Sequence, residues 1–384
     1  MNKKEFDYVI VGAGIAGCSL AHFLSKYSQS VLLIDKNEDV AFGASGAAGA
    51  CLSPLLGKPN KFKDLITKSL NFSINYYKEN FSEDLINCGT CRIPKNEEDE
   101  QKFQSYIPYM DFEYEKYEEG YLFKIGSLVK PYELCKKLSK NTQKLFDYEV
   151  KTIEKKENIW IINDEIKAKN LFLTTGADTS LIDEKYLDIR AVWGQKIDIN
   201  TTTSININYH KKCSLSISSD EQVVSIGATH NRFDSDKIDS SYNLKLKNIN
   251  KIKHNDYTNH IIQNDIAKLL KKANDIKVLN DVKVLDVKIG ARASSVDYFP
   301  MIGKLVDAEK NFEKYPHLKN GFQIKNENLQ MIENLYILNG VGGRGFVLSP
   351  YLAYVLVENI FNNKKIEEEI TTFRLFKRWA KKQK

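Results

Sequence analysis

The chain has 384 residues, 42% of them hydrophobic and 11% aromatic, an ordinary globular balance with enough length for two domains that each bury a core. A formal net charge of +6 is a mild excess on a lysine-heavy background interspersed with Glu and Asp, as in 140–144, 151–156 and 245–253, so it permits a polyanionic partner without requiring one. The apolar run from Tyr8 to Val11 is broken by glycine too soon for a signal peptide or membrane span, and 351–361 is too short to cross a bilayer, so the expectation is a soluble, cytoplasmic protein with no membrane contact.

The first element is the most informative. Residues 6–11 read as a strand, Gly12-Ala13-Gly14-Ile15-Ala16-Gly17 as a GxGxxG turn opening a helix, and 31–34 as a second strand ending in Asp35. A dinucleotide needs this order. Gly12 allows a tight turn, Gly14 lets the backbone approach a pyrophosphate, Gly17 lets the helix pack on the sheet, and the helix start offers N–H groups to phosphate. Asp35 would take ribose hydroxyls. A strand before, a helix after and an acid at the expected distance lift this above a bare GxGxxG.

Next comes Gly43-Ala44-Ser45-Gly46, continuing as Ala47-Ala48-Gly49-Ala50. Side chains this small let backbone lie flat against something bulky, which predicts a second cofactor contact rather than a flexible loop. Residues 61–85 predict a helix whose core stripe is Phe62, Leu65, Ile66, Leu70 and Ile74. Cys88 and Cys91 have CxxC spacing, but without a second such pair or clustered histidines they form no local zinc site, and the six cysteines are expected as reduced thiols with no metal. From 88 to 144 the pattern is short, aromatic and acidic, with a helix from Pro131 through Leu138.

Strands are predicted at 148–153, 159–162, 165–168 and 171–173, the last running into Thr174-Thr175-Gly176, where a cofactor would pass again. Residues 190–208 and 214–229 alternate like antiparallel strands, and a helix is expected near 260–272. A strand at 335–338 then leads into Asn339-Gly340-Val341-Gly342-Gly343-Arg344-Gly345 and an apolar helix from about Pro350 to Phe361. The predicted fold class is α/β: a discontinuous Rossmann-like cofactor domain (1–87, 146–189, 286–305 and 326–384) with an inserted α+β substrate domain on an antiparallel sheet (88–145 and 190–285).

Four segments carry a resemblance over nearly the whole length: Gly43-Ala44-Ser45-Gly46 with 52–56; Arg190 with Gly194-Gln195; Gly290-Ala291-Arg292 with 297–303; and 340–345 with Pro350. With these the chain resembles the D-amino-acid-oxidase-like FAD-dependent oxidoreductases, and within them the FAD-dependent half of the tRNA 5-methylaminomethyl-2-thiouridine biosynthesis proteins. Two departures stand out. Ala47, Ala48 and Gly49 replace the polar residues usual after GASG, and the methyltransferase half is not in this sequence, so a later methylation is expected to fall to a separate tRNA methyltransferase.

The resemblance implies FAD held by Gly12, Gly14, Ile15, Ala16, Gly17, Asp35, Lys36, Gly43, Ala44, Ser45, Gly46, Val150, Thr175, Gly176, Gly340, Gly342, Gly343 and Gly345. No His or Cys lies in 290–304 or 43–50, where relatives anchor a flavin, so the FAD is expected to be non-covalent. It further implies oxidation of the carboxymethylaminomethyl group on the wobble uridine of tRNA, giving glyoxylate and 5-aminomethyluridine; the alternative is oxidation of free glycine, sarcosine or a D-amino acid. Arg292 is the candidate for the substrate carboxylate, with a salt bridge to Asp297 or another acid as its structural alternative. Arg344 is placed beside flavin or substrate, or in a structural contact. His230 is left out of the site as a surface or packing residue. Lysines of the second domain, with Lys377, Arg378, Lys381 and Lys382, are expected to meet tRNA phosphates.

Overall fold

The computed structural model describes residues 4–231 and 255–383. Its first sheet is parallel at the centre: strand Lys4–Val11 lies between Ile166–Leu173 and Val31–Ile34, with Gln143–Leu145 beyond the latter and Met331–Asn339 beside the former. Antiparallel strands complete it, Ile153–Lys156 and Ile159–Ile162 on one path and Met301–Val306 against Met331–Asn339. Both faces are buried, which is why these strands read as unbroken apolar runs. Ile10, Leu33, Phe172 and Leu338 face a core shared with the helices Ile15–Leu24, Lys61–Asn80 and Gly345–Asn362. Val9, Val11, Leu32, Ile34, Leu171 and Leu173 face the other core, closed partly by the helix Phe373–Ala380.

The second sheet runs in the order 283–295, 189–200, 223–227, 214–215, 208–210, 90–92, 120–123, 114–117. Alternation along its two longest strands gives each face a separate task. Ile197, Ile199, Val287 and Ile289 pack with Ile262, Leu269 and Ala273 of the helix Asp256–Asn274. Gly194, Gly290 and Arg292 therefore point the other way, toward the first sheet.

The helices 61–85, 131–138 and 260–272 expected from sequence are found as Lys61–Asn80, Pro131–Leu138 and Asp256–Asn274. Sheet membership departs from the expected domain boundaries at two places. The strand Lys283–Ser295 pairs along its length with Ile189–Asn200, so 286–295 lies in the second sheet and not in the cofactor sheet. Conversely, Leu134, Cys135 and Leu138 join the first core and Gln143–Leu145 joins the first sheet, so 131–145 does not belong with the substrate sheet. The strand expected at 148–153 starts only at Ile153, because the backbone before it turns to the loop after the second strand: Asp147 N donates to Asn37 O at 3.0 Å and Tyr148 N to Asp35 O at 3.1 Å. The last helix begins at Gly345 rather than near Pro350.

Candidate active site

The glycine turn is shaped by close approach. Gly12 sits at φ +106°, and a Cβ on Gly17 would lie 1.8 Å from the Gly12 carbonyl oxygen and 2.7 Å from Thr174 Oγ1. Thr174 itself donates its hydroxyl to Val11 O at 2.9 Å and Gly12 O at 2.8 Å, tying the turn to the third strand. The segment 43–46 lies directly against this turn: the Ile15 N–H donates to Ser45 Oγ at 2.9 Å. From the opposite side, Gly290 of the second sheet comes so near that a Cβ there would stand 2.6 Å from Ala44 Cα. The GASG segment is thus clasped between the first helix and the second sheet.

The downstream glycines close the ring. Asn339 donates from Nδ2 to Gly176 O at 2.8 Å and accepts at Oδ1 from Gly340 N at 2.8 Å, joining the third and last glycine segments. A Cβ on Gly345 would meet Ile15 Cγ2 at 3.0 Å, so the starts of two helices converge. Gly342 and Gly343 face the second sheet, where their Cβ atoms would meet Ser294 Oγ at 3.3 Å and Arg292 Cδ at 3.8 Å.

Asp35 stands beside the turn, accepting from Ala13 N at 2.6 Å and, at its other oxygen, from Asn37 N at 2.9 Å and Asn37 Nδ2 at 2.7 Å. Half-buried Val150 follows the segment that bonds to the Asp35 carbonyl. Lys36 points elsewhere, pairing with Asp178 at 3.0 Å, and the Thr175 hydroxyl donates to Asp178 O. These two side chains are engaged with the protein rather than turned to the turn.

Arg292 lies across the face of its sheet. A Cβ on Gly194 would fall 2.1 Å from Arg292 Nη2, so the glycine leaves the space that the guanidinium fills. Its hydrogen bond to the protein goes from Nη1 to Thr229 O at 3.2 Å. Thr229 is fixed in turn, donating from N to Gln195 O at 3.1 Å and from Oγ1 to the buried Asp265 at 3.0 Å. On the same sheet face Lys196 and Lys288 both pair with Asp198, at 3.0 and 3.1 Å. Among the described residues no carboxylate pairs with Arg292, and burial lowers its pKa. The proposed bridge to Asp297 is absent because Asp297 is held by Arg374 through two bonds, Nε to Oδ2 at 2.9 Å and Nη2 to Oδ1 at 3.0 Å.

Arg344 donates from Nη1 to Ser53 O at 3.0 Å. Burial, then the charge of Arg92, pushes its pKa down to about 10. Sequence reasoning passed over Arg92, whose Nη1 lies 3.4 Å from Ser53 Oγ and from Pro54 O. An isolated arginine in a three-residue strand carries no spacing signal. His230, exposed and next to Thr229, is held below its usual pKa by desolvation and then by Arg292. Cys88 and Cys91 are free thiols on different partners, Asn208 Nδ2 at 3.0 Å and Tyr117 O at 3.7 Å.

The family model for FAD-dependent oxidoreductases of the DAO type matches residues 7–359. The chain belongs to that family. It is 27% identical over 377 residues to the tRNA 5-methylaminomethyl-2-thiouridine biosynthesis bifunctional protein MnmC of Legionella pneumophila (strain Philadelphia 1), covering 91% of this chain and 53% of that protein. To the MnmC of Campylobacter hominis it is 24% identical, covering 99% of this chain and 65% of that one. It therefore spans about half to two thirds of these relatives' length. Among solved structures it resembles glycine oxidase from Geobacillus kaustophilus, with TM-score 0.70, 15% identity and coverage of 94% and 96%. L-proline dehydrogenase from P. horikoshii gives 0.67 at 16% identity, with coverage of 98% and 99%.

Family membership makes the chain an oxidoreductase with FAD as its cofactor. The cradle fits such a group. Gly12, Gly17, Gly290 and Gly345 all stand where a Cβ would obstruct, and Ala16 and Gly17 bring first-turn N–H groups that their own helix cannot satisfy. No helix among the described residues is long and apolar enough to cross a membrane.

Proposed function

We propose that the protein oxidises the carboxymethylaminomethyl group on the wobble uridine of tRNA, releasing glyoxylate and leaving 5-aminomethyluridine. The observation that carries this reading is Arg292, a guanidinium without a carboxylate partner among the described residues, on the sheet face that meets the cofactor cradle. The relatives' printed names, which concern biosynthesis of a modified tRNA uridine, give the substrate its class.

Bound FAD supplies the two-electron acceptor. The chain's own residues bind and orient. Arg292 holds the substrate carboxylate with two parallel N–H donors, and the Thr229 carbonyl and the space over Gly194 fix the plane of that fork. The adjoining methylene and secondary amine then face the cradle. Oxidation of the neutral amine across its C–N bond needs no side-chain base, so none is assigned. Water adds to the resulting imine, and the C–N bond breaks to give glyoxylate and the primary amine. The helix start at Gly345 favours negative charge nearby.

Arg378, Lys381 and Lys382 form no ion pair among the described residues and are proposed to meet tRNA phosphates, whereas Lys377 is taken by Glu368 at 2.9 Å. The lysines of 245–253 lie outside the described residues. The test is glyoxylate release and nucleoside mass spectrometry with tRNA carrying the modification, against glycine and sarcosine, over a range of salt. Conversion of the tRNA, falling steeply with salt, supports the reading. Turnover of free glycine or sarcosine with the tRNA untouched makes the protein an oxidase or dehydrogenase of a small amino acid instead.

A further inference from the structure

Arg92 and Arg344 meet at Ser53 from different directions, and Arg92 also reaches Pro54. Arg92 comes from the strand Thr90–Arg92 of the second sheet, where alternation sends Cys91 into the apolar core and Arg92 to the opposite face. Arg344 comes from the last glycine turn. Both donate to the stretch Ser53-Pro54, which accepts Nη1 of each but carries no charge. Arg92 Nε is buried with no hydrogen-bond partner, which is costly for a polar group and more so for a charged one. Neither arginine pairs with a carboxylate among the described residues.

The charges nearby do not outweigh burial: Asp99 raises Arg92 by less than burial lowers it. His210, the register partner of Arg92, bonds through Nδ1 with Ser214 Oγ at 2.8 Å. Burial, then the charges of Arg92 and Arg344, holds its imidazole well below its usual range and so keeps it neutral. The Cys51 thiol is raised by burial and stays protonated. Two half-buried guanidiniums with no paired carboxylate among the described residues are costly to fold, and an anion seated on them offsets that cost. Arg292 has a different partner, Thr229, while Arg92 and Arg344 are held at Ser53. Arg292 is lowered by burial alone, while Arg344 also feels Arg92.

We propose that Arg92 and Arg344 form a second anion subsite that takes a phosphate group of the substrate, while Arg292 takes its carboxylate. The pairing of two planar, always-charged forks suits a phosphate, which offers several oxygens to one cluster. This rests on the tRNA reading above and deepens it: the enzyme recognises a nucleotide, and not only the amino-acid-like arm on its base.

The test is equilibrium binding to the holoenzyme, followed by the flavin absorbance. The probes are 5-carboxymethylaminomethyluridine as the free nucleoside, as its 5′-monophosphate and as its 3′-monophosphate. One of the phosphorylated forms should bind about tenfold to a hundredfold more tightly than the nucleoside, and which one identifies the flanking phosphate recognised. Inorganic phosphate at constant ionic strength should compete with that nucleotide. In Arg92→Gln the preference should fall to near unity and the competition disappear; Arg92→Lys, which keeps the charge and loses the fork, should retain part of both and serves if the glutamine variant does not fold. Equal binding of nucleoside and both nucleotides overturns the subsite and leaves the tRNA reading standing, as does a preference that survives in both Arg92 variants. Binding of glycine with no binding of nucleoside or nucleotide overturns both.

Discussion

The Tyr77 hydroxyl donates to the Phe346 carbonyl at 2.8 Å, and Phe346 is the residue four before Pro350. A proline has no N–H, so the carbonyl one turn behind it loses its helical partner. Tyr77, itself fully buried, supplies the missing donor, and Ser73 from the same helix donates to the next carbonyl, Val347 O, at 2.7 Å. The last helix can therefore run through Pro350 and begin at Gly345, beside the cofactor turn. Tyr77→Phe should lower the unfolding free energy by about 1–3 kcal/mol, the cost of a buried unsatisfied carbonyl. Denaturant unfolding of the holoenzyme measures it, and a change under about 0.5 kcal/mol would mean that another donor takes over.

Gly290→Ala should cost flavin. Its new methyl would press on Ala44, which cannot yield without moving Ser45 off the Ile15 N–H. Purified variant should show less flavin absorbance per protein than the wild type, with secondary structure retained by circular dichroism. Acid precipitation of the wild type should release all its flavin into the supernatant. Full flavin content in Gly290→Ala would show that the 43–46 segment does not hold the cofactor, and colour left in the pellet would show a covalent anchor.

Arg292→Ala should reduce kcat/KM by about tenfold to more than a hundredfold, the worth of a charged hydrogen-bonded pair. Arg292→Lys should recover only part, since a point charge does not reproduce the fork. Flavin content should match the wild type in both. A variant that loses flavin while turnover per bound flavin stays normal would make the residue structural.

The Asp297–Arg374 pair should stabilise the fold in a pH-dependent way without touching catalysis. Burial opposes ionisation of Asp297, but the hydrogen bond and charge of Arg374, with the Ser295 hydroxyl, outweigh it and leave the carboxyl below its usual 3.8. A carboxyl lowered in the folded state adds stability that is present above its unfolded value and lost as pH falls through the folded one. Arg374→Met should therefore be less stable than the wild type near neutral pH, by about 1.5–3 kcal/mol, and the gap should narrow below about pH 4. Unfolding curves at several pH values test this. A gap that is constant with pH would assign the loss to packing of Arg374 instead.

The glycine turn was legible because its demands fall on a short stretch of chain: a tight turn and close backbone approach tolerate few residue types, so Gly12 and Gly17 announce themselves. The start of the last helix was not, since Pro350 reads as a first-turn residue unless the Tyr77 donor, supplied from another helix, is known. Residues 286–295, expected with the first sheet, lie in the second because pairing with Ile189–Asn200 is a tertiary fact; their local alternation fits either sheet. Arg292 could be picked out from the motif around it, but that its competitor Asp297 is occupied depends on Arg374, far along the chain. Arg92 had no motif at all.

Gly194 and Arg292 occupy one volume between them. Since a Cβ at 194 would overlap the guanidinium, with its nearest contact at 2.1 Å, residue 194 can grow only if the end of the Arg292 side chain swings aside or is shortened. On the function proposed above, glycine at 194 keeps Arg292 laid across the face of its sheet, where it would seat an acid, and a bulkier residue there would displace that seat. A bulkier residue at 194 therefore acts on the proposed acid seat without any change at 292 itself.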